Sequence, residues 1–443
     1  MFTRYIVFIF LTLCLKAHAT DKDYIGFFSP QGINPDLVAN TNFAMINIQT
    51  ISQMKESLKL ANNKNFIVNL DFGPLLAATA STKNLSVVYT TTNGKEHRKQ
   101  LMPLAENKVR VLPSNLLIEK QLTPYLDEMR NYASVIGTVF LVDEPYLNGV
   151  SKFELERAGK EVKRLLNMHG LSKVKLGVIF ASGMFDPIFA KIINRAVGDY
   201  AYSIDQYYKT GGDSQVPKVV EEWTSWKKSI TASRLSTYDS AGNMYIEGGI
   251  PRGFEVVGFD FYLSTILQDG IHDKTLAWFA IQYPKQCGAF EGTSMRELRK
   301  QLSFFYNGPV LQGDKYRIAD RKLLDLIYSC RMTATVDMLQ KQIKLLGRQG
   351  KTVHQLLISE SSNNGVLEFD SLGNIEAGQP EKLNEARVYD EVNRGLSYYR
   401  SRRQDFKEGL MFFTYQDEYD KSIMLNVGGA KNMPSVLNKI YSR

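Results

Sequence analysis

Short apolar runs recur along this chain, separated by amphipathic stretches, and that alternation constrains the fold more than any other feature. The runs are Tyr24 to Phe28, Phe43 to Ile48, Phe66 to Leu70, Val135 to Val142, Val174 to Phe180, Tyr200 to Ile204, His354 to Ser359 and Leu410 to Thr414. Several, such as VIGTVFLV and GLMFFT, are apolar almost throughout, as strands buried on both faces must be. Between them lie segments such as SKFELERAGKEVKRLLNMHG. Its Phe153, Leu155, Ala158, Val162 and Leu165 recur at helical spacing until Gly170 ends the helix. Strands alternating with helices build a parallel sheet covered by helices, and eight such units predict a closed (β/α)8 barrel.

Two stretches exceed what a minimal barrel needs. Residues 77–115, rich in Thr, Asn and Lys, read as a small hairpin insertion, with a strand from Val87 to Thr91 and a turn at Asn93-Gly94. Residues 209–353 read as a long insertion before strand seven, and they contain a further strand candidate, Phe254 to Tyr262. Strand six is therefore open between Tyr200 to Ile204 and Val256 to Tyr262. With no internal repeat and no low-complexity linker, residues 20–443 are expected to form one barrel domain.

The N-terminus has the make-up of an export signal. Arg4 precedes an apolar run from Tyr5 to Leu15, shorter than the roughly 20 residues a membrane span requires, and Lys16-Ala17-His18-Ala19 offers a small-x-small cleavage pattern. Cleavage after Ala19 would remove residues 1–19 and leave an exported chain, periplasmic or extracellular, that starts at Thr20. No later apolar stretch is long enough to span a bilayer, so no integral membrane segment is expected in the mature protein.

Loss of Arg4 and Lys16 takes Lys+Arg from 54 to 52 against 46 Asp+Glu, so a net charge of +8 becomes +6. The excess is dispersed, which argues against nucleic acid as a partner. Cleavage also removes Cys14 and leaves Cys287 and Cys330 in an oxidising compartment, where they form a disulfide or remain two buried thiols. The 5 histidines are never at ligand spacing with one another, so no metal site and no His-dependent triad is expected.

In a barrel of this type the chemistry lies at the carboxyl ends of the strands. Here those ends are polar: Asn69 and Asp71; Asp143 and Glu144; Asp205, Gln206 and Tyr207; Asp260 and Tyr262; Glu360 and Ser361; Tyr415, Gln416 and Asp417. In VFLVDEPY, Pro145 cannot continue the strand ladder, so the strand stops and presents Glu144 at the rim. HQLLISESS delivers Glu360 in the same way. A glutamate after a buried strand also caps helices or pairs with basic neighbours. Two of them, ending strands four and seven, favour catalysis.

These two motifs, on this strand pattern, resemble the retaining glycoside hydrolases of clan A, whose strand four ends in Asn-Glu-Pro and whose strand seven ends in a second glutamate. The resemblance implies Glu144 as acid/base and Glu360 as nucleophile, acting on a polysaccharide or oligosaccharide with no cofactor. It also implies that Tyr207 or Tyr262 hydrogen-bonds the nucleophile. Asp71, Asp143, Tyr146, Asp205 and Tyr415 complete the candidate substrate-binding set, and Phe72 and Tyr208 are further aromatics that either stack on sugar or pack. The chain departs from that group at Asp143, which stands in place of the asparagine, and at strand eight, where Tyr415 or Gln416 replaces a tryptophan.

Overall fold

The computed structural model describes residues 23–79, 86–90, 96–100, 110–193 except 147 and 149, 247–263, 271–293, 297, 298, 301, 318–363, 381–420 and 425–442. Within them, eight parallel strands close into a barrel: β1 (Ile25–Phe28), β2 (Phe43–Asn47), β3 (Ile67–Asp71), β4 (Ile136–Phe140), β5 (Lys175–Ala181), β6 (Val256–Phe261), β7 (His354–Glu360) and β8 (Gly409–Phe413). Each strand pairs with the next, and β8 returns to β1 with Ile25 opposite Leu410.

Strand six is thus Val256–Phe261, flanked by β5 and β7, with Asp260 opposite Ala181 on one side and Ile358 on the other. The alternative, Tyr200 to Ile204, lies outside the described residues, as do Asp205, Tyr207, Tyr208 and residues 1–19. Of the two readings left open for strand six, the one inside residues 209–353 holds. Strand six divides that stretch, so excess length falls partly between β5 and β6 and partly between β6 and β7. The run VVGFDF forms a barrel strand with all six residues buried, Asp260 among them.

Helices cover the outside. Those labelled here are α1 (Pro35–Asn40), α2 (Ile51–Asn62), α3 (Asn115–Met129), α4 (Lys152–Met168), α5 (Ile271–Gln282), α6 (Ile318–Gly347), α7 (Glu381–Ser401) and α8 (Pro434–Tyr441). Their starts are encoded locally. Asn34 caps α1 before Pro35, Thr50 caps α2, and Ser151 with Glu154 forms a reciprocal capping box on α4. α4 buries Leu155, Ala158, Val162 and Leu165, the periodic apolar face read from the sequence, while Phe153 is exposed.

Two cores result. A large one lies between sheet and helices, and a small one fills the barrel with Phe28, Phe43, Met45, Phe140, Ile179, Val256, Leu356, Ile358 and Met411. The interior is therefore plugged, as barrels of this size require, and only the rim is free for chemistry. Gly177 makes room for that plug, since a Cβ there would sit 2.4 Å from the Phe140 ring.

The expected hairpin is present: Ser86–Thr90 pairs antiparallel with Glu96–Gln100, and Ala78–Thr79 with Arg110–Val111. Cys287 and Cys330 are disulfide-bonded with Cα atoms 4.8 Å apart, tying the turn Pro284–Cys287 to the middle of α6. Closing a loop across 43 positions constrains the unfolded chain by roughly 3–4 kcal/mol. No helix among the described residues is long and apolar enough to cross a membrane.

Candidate active site

Acids lie at or just past the carboxyl ends of three strands: Asp143 and Glu144 follow β4, Asp260 is the penultimate residue of β6, and Glu360 is the last of β7. Asp260 is buried, and its side chain hydrogen-bonds Glu144. Burial raises its pKa well above the usual carboxylate range, and the charges of Asp143, Glu144 and Glu360 raise it further. Tyr262, two residues on, has a pKa raised well above the usual phenol value, by burial and then by Asp260, Glu360, Glu144 and Asp143. The structure therefore gathers Asp143, Glu144, Asp260, Tyr262 and Glu360 into one cluster at the mouth of the barrel.

Glu144 sits on strained backbone. Its φ is +42°, a left-handed conformation that residues with a Cβ seldom adopt, at a cost of about 1–3 kcal/mol. Asn148 secures the turn, donating from its backbone to the Glu144 carbonyl at 3.0 Å and from its side chain to the Asp143 carbonyl at 2.9 Å. Ser182, at the end of β5, also has a positive φ of 47°, and its backbone N–H donates to the Asp260 carbonyl at 3.1 Å. Strain of this kind is retained where the surrounding structure holds it, and functional sites are where it collects.

Glu360 is 1% exposed. Its Oε1 accepts from the Ser362 backbone N–H at 2.8 Å and from the Ser362 hydroxyl, while Oε2 is buried with no hydrogen-bond partner. Burial pushes its pKa up to about 8 against the pull of Ser362, with Glu391 on α7 raising it further. A carboxyl so placed keeps one oxygen fixed and one available.

Aromatic surface flanks the acids. Phe413, the residue of β8 opposite Glu360, stacks on Phe28 with ring centroids 5.4 Å apart and lies 6.1 Å from the Tyr262 ring. The other aromatics singled out from the sequence are placed elsewhere. Tyr146 is buried against Phe180 and donates its hydroxyl to the Gly249 carbonyl at 2.6 Å. Tyr415 is buried against Phe27 and donates to Asp36 at 2.9 Å, and Phe72 is fully buried. These three pack the protein and the cluster does not include them. Asp71 is buried and accepts from the Gly73 backbone N–H at 2.8 Å, which shapes the turn after β3.

The sequence placed Asp260 at a strand end as a substrate-orienting or structural residue; only the identity of strand six brings it to Glu144. Phe413 and Ser182 went unnoticed, one inside an apolar run and the other with nothing in its neighbours to announce its backbone. Among the described residues no group of His, Cys, Asp and Glu is arranged to hold a metal ion.

The fold and the cluster define a (β/α)8-barrel protein with a multi-carboxyl mouth. No protein-family model and no curated protein matches the chain. Among solved structures it is similar to a glycoside hydrolase family 5 enzyme from Prevotella bryantii B14, at 9% identity and a TM-score of 0.40 over 95% of this chain and 96% of the other. A plant beta-glucan endohydrolase shares 11% identity over 93% of this chain and 95% of its own, with a TM-score of 0.36. A beta-glucosidase from Thermotoga maritima shares 9% over 88% and 77%, with a TM-score of 0.32. Likenesses of this size assign no residue a role, and the barrel rests on its own strand pairing.

Proposed function

We propose that this protein is an exported retaining glycoside hydrolase acting on a polysaccharide or oligosaccharide, with Glu144 as acid/base and Glu360 as nucleophile. The observation that carries the reading is that Glu144, four residues past the end of β4, and Glu360, the last residue of β7, act on the same two side chains, Asp260 and Tyr262. In the first step Glu360 would attack the anomeric carbon while the bond to the leaving oxygen breaks and Glu144 gives that oxygen its proton. In the second, Glu144 takes a proton from water, whose oxygen displaces Glu360 from the sugar. Phe413 and Tyr262 offer the apolar surface on which a sugar face rests. Export accords with the pattern at residues 1–19 and with the Cys287–Cys330 disulfide.

The test is release of reducing ends from a panel of polysaccharides, with proton NMR of the first anomer formed. Glu144→Gln and Glu360→Gln should each lower turnover on the order of 10²–10⁴-fold, and the first anomer should keep the configuration of the bond cut. Wild-type rates in either variant would sink the assignment, and an inverted anomer would exclude the double displacement.

The burial of Glu360, with its pKa near 8, favours a second reading, a glycan-binding barrel that cuts nothing, because a protonated carboxyl is a poor nucleophile. That reading expects glycan binding that survives both amide substitutions, and no cleavage by the wild-type protein.

A further inference from the structure

Arg331 stands in the middle of α6, next to Cys330 of the disulfide, and none of its surface reaches solvent. One terminal nitrogen donates to the Thr275 hydroxyl of α5 at 2.9 Å, and the guanidinium carbon lies 4.5 Å from the centre of the Phe279 ring. Those two contacts leave an edge of the group unanswered. Nε and the second terminal nitrogen have no hydrogen-bond partner, and among the described residues no carboxylate pairs with the charge. A guanidinium is a cation at neutral pH wherever it sits, so the core between α5 and α6 carries a positive charge.

Thr335, one helical turn further along α6, is a second and independent anomaly. A buried threonine inside a helix ordinarily bonds the carbonyl four residues back, which here belongs to Arg331. Thr335 is fully buried, yet its hydroxyl makes no hydrogen bond. Side chains four apart on a helix are neighbours, so the idle hydroxyl and the idle guanidinium edge share one face of α6. All three unmet groups can donate. What they lack is an acceptor with one negative charge, since a buried charge is ordinarily retained only where something pairs with it.

We propose that α6 holds a small monovalent anion, chloride in the first instance, bound by Nε and the second terminal nitrogen of Arg331 together with the Thr335 hydroxyl. Complete enclosure of both side chains selects against large organic anions. The single positive charge selects against a dianion such as phosphate, which would leave net negative charge in the core. The ion is structural: it neutralises the guanidinium beside the disulfide and takes no part in chemistry at the barrel mouth, so the inference stands apart from the reading of that mouth as a sugar site.

The experiment is thermal melting of the intact protein at pH 7 in mixtures of sodium chloride and sodium gluconate at constant ionic strength, gluconate being too large to be enclosed. Raising chloride from about 1 to about 100 mM should raise the melting temperature by at least about 2 °C, bromide should act as chloride does, and Arg331→Met should respond to neither. In gluconate alone that variant should melt above the wild type, because there the guanidinium is buried without a counter-ion, and chloride should narrow the difference. Thr335→Val keeps the shape of the side chain and removes one donor. It serves where Arg331→Met does not fold, and should need about tenfold more chloride for the same rise. Equal melting temperatures in chloride and gluconate would overturn the proposal. So would a chloride response that either variant retains in full, since the ion would then be bound elsewhere.

Discussion

Asp260 and Glu144 hydrogen-bond carboxyl to carboxyl across the ends of β6 and β4. Two such groups in a buried site hold their last proton to higher pH than either would alone, and they titrate as a pair. Asp260→Asn keeps a donor to Glu144 and removes the neighbouring charge. The limb of the kcat profile on which the acid loses its proton should therefore move to lower pH, with a loss in kcat on the order of 10²-fold at neutral pH. A pH–rate profile unchanged in position would detach Asp260 from the acid.

Glu360 provides a stability prediction with a defined sign. Its carboxyl titrates at about 8 in the folded protein, against an ordinary value of 4.5 once the chain is unfolded. Between those values the folded state keeps a proton that the unfolded chain has lost, so stability falls as pH rises from 4.5 to about 8 and stays reduced above. Glu360→Gln cannot ionise, and its carbonyl still accepts from Ser362. It should be more stable than the wild type by on the order of 3 kcal/mol at pH 8, with no gain at pH 4, in paired thermal melts. An equal difference at both pH values would show that ionisation is not the cause.

The tyrosines divide into two kinds. Tyr146→Phe and Tyr415→Phe each delete one buried hydrogen bond, to Gly249 and Asp36, and should cost about 1–2 kcal/mol in stability while leaving turnover within twofold. Tyr262→Phe removes a hydroxyl from among the acids and should lower kcat about tenfold or more with little change in melting. Chemical denaturation and steady-state kinetics on the three variants give both readouts. A kcat loss in Tyr146→Phe to match Tyr262→Phe would contradict this division.

Seven of the eight strands were legible as apolar runs because a strand covered on both faces has to be apolar, whatever surrounds it. Strand six remained ambiguous because Tyr200 to Ile204 and Val256 to Tyr262 have similar local chemistry, and only closure between β5 and β7 decides between them. The glutamates were legible because polar residues after an apolar run mark its rim, although β4 ends at Phe140, before Pro145 could stop it. Side-chain direction was not legible. Tyr146 follows Glu144 by two positions, yet the positive φ at Glu144 and the bond to Gly249 turn its ring into the protein. Nor was the Glu144–Asp260 bond, which joins residues 116 positions apart in the sequence, predictable while strand six stayed open.

Arg331, on α6 beside Cys330, is fully buried, and among the described residues no carboxylate pairs with it. One guanidinium nitrogen donates to the Thr275 hydroxyl at 2.9 Å, and the group lies 4.5 Å above the Phe279 ring, but Nε and the other terminal nitrogen have no hydrogen-bond partner. Burial lowers its pKa to about 9. The contacts with Phe279 and Thr275 return about 1–3 kcal/mol together. Desolvating a guanidinium costs several, and two unmade bonds add about 1–3 each, so the cost prevails. Arg331→Met keeps the length of the side chain and its packing on Phe279 without the charge. It should raise stability by about 1–3 kcal/mol at pH 7, read as a higher melting temperature. A variant less stable than the wild type at pH 7 would mean that the guanidinium is held by an interaction worth more than its burial costs.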